Sequence, residues 1–447
     1  MVVGLVALLA IAAGATTFVL GRNHDDRSRS DRERSLGFGV RPTPLWTLDL
    51  ARLTSSPGEV LLPVSTPDTS TNGSGMLLDS SGDLIAAVGP PREFNIVADV
   101  TLVGIDRSDG SPTWKRPVGP VKNCTATRIG KSIACWSPTR VIVVDTMTGR
   151  VHGEAAPDFT VSGVEVAGDA TYVSGTRESG PSTALVLATG ILAAPTATVR
   201  TITDAGPGES ITDVVPDRKV FIARATADQN IGFASAVYSL DTGVRRFAAD
   251  GIVTSISDTL FRSETYPQGI ERLLDDNGSV VRSQDLSLPG GSAQPQVLGA
   301  PFVPIVMGDG VFDPITGALL WRDQVLDWGK STGGIAPAVV GDNLIAASLD
   351  GNLIGMDART GRRAWTTPLP GAFYVRTGIT DGRYFVFGDI AGMNSVDTVT
   401  GRIVWSVDSP GDGVDGYTSV SAAGGDIVRS TKDSVSVWRA RKGPDPA

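Results

Sequence analysis

The chain has 447 residues, beyond the roughly 250–300 at which a single hydrophobic core stops growing, so it must divide into domains or repeat a smaller unit. Its formal charge of −9 repels a phosphate backbone and excludes a broad nucleic-acid-binding face. Only two histidines, His24 and His152, leave a His-rich zinc site or a His-based triad almost nothing to work with.

From Val2 to Leu20 the chain is uncharged and apolar. At ~1.5 Å per residue a helix of that length reaches about 28 Å, close to the thickness of a bilayer core. Residues 1–21 are therefore expected to be one transmembrane helix or an export signal. Ala13-Gly14-Ala15 has the small-residue pattern of a cleavage site, yet the apolar run continues through Phe18, Val19 and Leu20, and an uncleaved anchor is the reading adopted. Arg22, Arg27, Arg29, Arg32 and Arg34 follow the span and, by the positive-inside rule, would hold the body in the cytoplasm. Asp25, Asp26, Asp31 and Glu33 nearly cancel them in charge, and the cysteines discussed below argue for export. No Cys follows the apolar run, which excludes lipid attachment of the bacterial lipoprotein type. Residues 22–42 are charged and almost without apolar content, so they are expected to form a flexible stalk.

The body, 43–440, is rich in Gly, Pro and short runs of Val, Ile and Thr, which point to strands and turns. It carries a recurring phrase: an apolar strand, an Asp, a short turn ending in Gly, then a Trp about four positions on. The copies read Ile105-Asp106 with Gly110 and Trp114, Phe312-Asp313 with Gly317 and Trp321, Met356-Asp357 with Gly361 and Trp365, and Val396-Asp397 with Gly401 and Trp405. Asp145 with Gly149 and Asp241 with Gly243 keep the turn without the Trp, and Gly190 and Gly278 complete the series. The spacing averages about forty residues, the length of one four-stranded propeller blade. Asp at the strand end can accept hydrogen bonds from the turn backbone, Gly supplies the left-handed position, and the Trp packs between neighbouring units. Near the start, Pro44 to Asp49 reads as an isolated fourth strand with its own Trp46, while Tyr417 to Ala440 supplies three strands and stops. Pairing the two would close a ring and remove its exposed edge. Residues 441–447 are read as a disordered tail.

Cys124 and Cys135 flank Ile129-Gly130 almost symmetrically, which places them opposite each other on adjacent antiparallel strands. A disulfide there implies an oxidising compartment. Asp408, Asp412 and Asp415 in a Gly-rich stretch could offer oxygen ligands to calcium, but their spacing matches no calcium loop and they are read as a solvated turn.

Over about residues 44–440 the turn-and-Trp phrase resembles the pyrroloquinoline-quinone-like (PQQ-like) repeat propellers, a family containing quinoprotein dehydrogenases and non-enzymatic scaffolds of the bacterial envelope. The resemblance implies an all-β propeller of seven or eight four-stranded blades, whereas a straight count of strand sets here gives nine. Eight is adopted, with nine as the alternative. The resemblance also implies, for the enzymes, adjacent cysteines beneath the cofactor, a catalytic Asp and calcium-binding groups. Cys124 and Cys135 are eleven positions apart, and no catalytic, cofactor-binding or metal-ligating residue is named. The residues singled out are structural: Trp46, Trp114, Trp321, Trp365 and Trp405 in packing, Gly361 and Gly401 in turns, and the Cys124–Cys135 bridge. The expectation is a membrane-anchored, extracytoplasmic scaffold or sensor that binds an envelope protein or peptide without cofactor or catalysis. The alternative is a quinone- or sugar-binding enzyme.

Overall fold

A computed structural model describes residues 37–440 except 55–59, 62–76, 80–82, 91–97, 126–131, 168–169, 180–181, 203–208, 226–232, 266–267, 287–294, 328–332, 370–374, 376–377, 390–391, 409–417, 424 and 432. The expected membrane helix, nearly all of the expected stalk and the tail lie outside these residues. Among those described, no helix is long and apolar enough to cross a membrane.

The described strands form nine sheets. In chain order they are blade 1 (60–121), blade 2 (123–155), blade 3 (160–202), blade 4 (209–250), blade 5 (252–285), blade 6 (305–322), blade 7 (334–368), blade 8 (378–408) and blade 9, made of 419–439 with Thr43–Asp49. Successive strands of a blade pair antiparallel, except that in blade 1 Val60–Leu61 and Leu77–Asp79 both pair with Asp83–Gly89, and near-continuous apolar runs bury both faces of the inner strands. One sheet cannot cover both faces alone, so its neighbours do. Nine hydrophobic clusters each join two consecutive blades, from Val100 and Ile142 between blades 1 and 2 to Trp405 and Val420 between blades 8 and 9. The circuit closes where Val428 and Val435 of blade 9 pack on Leu84 and Val103 of blade 1. The body is therefore a nine-bladed β-propeller.

The alternative count of nine is the one realised. Each of the eight turn glycines marks a blade of its own, and the ninth is built from the two chain ends. Thr43–Asp49 pairs antiparallel with Ser434–Arg439, with Thr47 opposite Ser436 and Asp49 opposite Ser434. This is the closing strand read from the sequence.

Three details differ from expectation. Gly190 lies inside strand Ser182–Ile191, opposite Thr171, and the turn of blade 3 falls after it. Blade 6 has three strands, because the segment that would be its innermost, Gln296–Leu298, runs parallel to Gly334–Val340 of blade 7 and covers its inner edge. Gln296 also accepts a hydrogen bond from Gly378 N of blade 8 at 2.9 Å through its Oε1. Within the segment expected to be stalk, finally, Phe38 is fully buried between blades 8 and 9.

Because each blade is an up-and-down meander, its first-to-second and third-to-fourth turns share one face of the ring, and its second-to-third turns lie on the other.

Candidate functional site

The third-to-fourth turns are the most regular feature of the ring. In blade 7, Asp357 Oδ1 accepts hydrogen bonds from Arg359 N at 3.0 Å, Thr360 N at 2.8 Å and Thr360 Oγ1 at 2.9 Å, and Gly361 N donates to Asp357 O. Blades 2, 6 and 8 repeat the arrangement on Asp145, Asp313 and Asp397, and blade 1 a reduced form on Asp106. The Thr360 and Thr316 amides hold the Asp357 and Asp313 carboxyls below the ordinary value of 3.8. For Asp397, burial acts upward but is outweighed by hydrogen bonds from Arg383, Val399 and Thr400.

Onto four of these five turns the previous blade lays an indole; at Gly317 of blade 6 the place is taken by Val281, Leu273 and Leu260. Gly361 has φ +71°, and a Cβ there would fall 2.5 Å from Trp321; at Gly401, φ +74°, it would fall 2.6 Å from Trp365. Trp46 covers Gly110 and Trp114 covers Gly149 in the same way. The glycine is thus required twice, for its backbone angle and for the ring lying flat on it. The indole N–H of Trp46, Trp321 and Trp365 donates to the carbonyl of the residue after the turn Asp, Arg107, Ala358 and Thr398, at 2.8, 3.0 and 2.8 Å. Trp114 makes the stack, but its buried N–H meets no acceptor among the described residues.

Trp405 should face the same turn in blade 9, but there the third and fourth strands come from opposite chain ends and no turn joins them. Phe38 supplies what is missing. Its carbonyl accepts from Trp405 Nε1 at 2.7 Å and from Ser395 Oγ at 3.0 Å, while its own N–H donates to Asp381 Oδ2 at 2.9 Å. Nothing in the local sequence announces this role.

Two polar clusters hold residue types capable of chemistry. In blade 2, Ser132 Oγ lies 3.1 Å from His152 Nδ1, and His152 Nε2 lies 3.5 Å from Asp145 Oδ2. The three come together because Ser132 pairs with Asp145 across the second and third strands, and a bulge between Val151 and Gly153 turns His152 toward them. A nucleophilic serine must reach substrate, but Ser132 is only 1% exposed, and Asp145 Oδ1 is already taken by the turn. The trio braces the turn under Trp114. In blade 8 the buried Asp389 accepts from Gly392 N at 2.7 Å and Asn394 Nδ2 at 2.9 Å, and Asn394 Oδ1 accepts from Ser406 at 2.7 Å. Beside it in blade 9, burial pushes the Arg429 guanidinium below its ordinary value. The bonds of Asp389 and Asn394 hold the strands of blade 8 to one another.

Residues 310–443 match the family model described as outer membrane protein assembly factor BamB. That span holds the three clearest copies of the Asp, Gly and Trp dock and most of the closing blade. Over that span the chain is similar to the PQQ-like repeat propellers. Among solved structures, the propeller is similar to BamB from Moraxella catarrhalis, at 13% identity and TM-score 0.44, covering 89% of this chain and all of that one. It is also similar to quinohemoprotein alcohol dehydrogenase from Comamonas testosteroni, at 10% identity and TM-score 0.48, covering 93% and 78%. A europium-containing methanol dehydrogenase matches at 13% identity and TM-score 0.44 over 86% and 85%. No curated protein matches the chain.

Among the described residues, the donor set of this propeller does not fit a quinone and its metal. Cys124 and Cys135 form the expected disulfide, directly opposite in register. Both are buried in the hydrophobic cluster between blades 1 and 2, among Val100, Leu102 and Ile142, so the bridge is core packing rather than a platform for a planar cofactor. Among the described residues no group of three or more His, Cys, Asp or Glu could hold a metal ion. Asp408 ends strand Ile403–Asp408 and is exposed, while Asp412 and Asp415 lie outside the described residues.

Proposed function

We propose that this propeller is a membrane-anchored, extracytoplasmic scaffold or sensor domain of the bacterial cell envelope that binds a protein or peptide partner and catalyses no reaction. The observation that carries the reading is the match of residues 310–443 to the BamB family model. Two further observations support it: a buried disulfide, which belongs to an oxidising compartment, and the apolar run Val2–Leu20. A closed ring holds its loops on a rigid frame, which suits recognition. The quinone-dependent enzyme is disfavoured by the place of the disulfide, packed into a core.

The test is crosslinking of the full chain in its native host followed by mass spectrometry. Reproducible capture of envelope proteins is expected, and their loss when surface loops are exchanged. A stoichiometric complex with added quinone and calcium that oxidises alcohols or sugars would overturn the reading.

A further inference from the structure

Phe38 fixes where the chain enters the ring. It stands in for the third-to-fourth turn of blade 9, so residues 1–36 join the body at the face that carries those turns. Leu20 and Gly37 are separated by 21–36, a segment that can span at most about 55 Å even fully extended.

The same face carries exposed apolar tips. Ile315 is 73% exposed, Val399 66%, Val244 61%, Ile191 59% and Met147 42%, and each stands in or beside a third-to-fourth turn, in five different blades. Among the described residues, a second-to-third turn on the opposite face presents one large exposed hydrophobic, Leu349. Single exposed hydrophobics are ordinary on protein surfaces, but five around one face of a flat ring lie where a planar apolar partner could touch them together. Charge does not choose the partner: Arg150, Arg359 and Arg402 share these tips with Asp109, Asp241 and Asp276, all exposed.

We propose that this face rests on the bilayer that holds the N-terminal segment, its apolar tips dipping into the lipid interface, and that the opposite face is left for the protein partner. The proposal rests on the anchor reading of Val2–Leu20. Contact depends on apolar insertion rather than on anionic headgroups, so it persists on neutral lipid and at high salt.

The experiment uses the full chain with its disulfide intact, carrying Ile315→Cys, Val399→Cys or, on the other face, Leu349→Cys, each labelled with an environment-sensitive fluorophore. The protein is reconstituted into phosphatidylcholine vesicles containing nitroxide-labelled lipid. Quenching at the labels on positions 315 and 399, with none at 349, is expected, unchanged in high salt. Flotation with the vesicles but equal quenching at all three positions, or stronger quenching at 349, would overturn the orientation and leave the anchor standing. Failure to float would overturn both.

Discussion

The dock between blades 7 and 8 can be tested by a double-mutant cycle on Trp365 and Gly401. Trp365 is 8% exposed and gives its N–H to Thr398 O, so Trp365→Ala removes a buried indole at about 3–5 kcal/mol. Gly401→Ala forces a side chain into φ +74°, roughly 1–2 kcal/mol of backbone strain. It also puts a Cβ 2.6 Å from the indole, which must then lift off the turn and lose part of its burial. With the indole gone, its clash with the added methyl is gone too and the strain remains. The two changes together should therefore cost less than the sum of their separate effects, by a coupling of about 1–3 kcal/mol. Gly341→Ala provides the reference: φ is +57° there with nothing within 4 Å of the new Cβ, so strain alone applies. Urea unfolding followed by far-UV circular dichroism, on the transition that carries the propeller signal, reads the four corners of the cycle. Additivity within about 0.5 kcal/mol, or a Gly341→Ala effect as large as that of Gly401→Ala, would refute the account of glycine as the seat of the indole.

Closure offers a second test: deleting residues 43–50 should unfold or aggregate the body, and a monomeric deletion variant with an unchanged melting curve would refute it. Phe38→Ala leaves that strand in place but empties a fully buried site, and should lower stability by about 3–5 kcal/mol in the same urea assay. The Cys124–Cys135 bridge closes a short loop, worth roughly 3 kcal/mol in the chain-entropy view, so the double Ser variant should unfold earlier by that amount. Alkylation without prior reduction should label neither cysteine. The turn carboxyls give a pH signature: Asp313, Asp357 and Asp397 are held below 3.8 in the fold. The folded state then binds fewer protons than the unfolded one, so their contribution is complete above the ordinary carboxyl value and fades as the pH falls through the lowered ones. Asp357→Asn keeps an acceptor for the turn and should flatten the acid limb of a stability-against-pH curve; an unchanged limb would refute the assignment.

What the sequence made legible was local. An Asp four residues before a Gly closes a turn through contacts within five residues, and the Trp that follows docks on the next copy of the same phrase, so one pattern encodes both the hairpin and the seam between blades. Gly190 shows where the pattern stops. It follows a Thr as Gly149, Gly317, Gly361 and Gly401 do, but Val186 stands where the Asp belongs, no carboxylate gathers the turn amides, and the strand runs on. The facing cysteines were legible for a similar reason, since the residues between them mirror about a glycine. What was not legible is non-local. Gln296-Val297-Leu298 reads like any short strand, and only the inner edge of Gly334–Val340 decides which blade it joins. His152 reaches Ser132 and Asp145 because one strand slips register by a residue, which no composition signals.

Phe38 is of the non-local kind, and it links closure to the direction of the tether. A ring closed by pairing the two chain ends needs an outer strand from one end and three inner strands from the other, so the turn between third and fourth strands is lost at that blade alone. Trp405 still requires an acceptor there, because a buried indole N–H left unpaired costs about 1–3 kcal/mol. The residues just upstream of Thr43 are those the chain can deliver to that place. Satisfying Trp405 therefore obliges the N-terminal segment to approach on the turn face, whatever lies further upstream. If a chain of this architecture were closed at a different point, its entry would move around the ring but stay on that face, because every third-to-fourth turn lies there. A circular permutant opened at Gly341, with the original ends joined, breaks a first-to-second turn of blade 7, which lies on the same face. It should keep Trp405 paired through Phe38 and melt as the parent does, whereas opening at Gly401 should free the indole of Trp365 and destabilise the ring by the amount the cycle assigns to that dock.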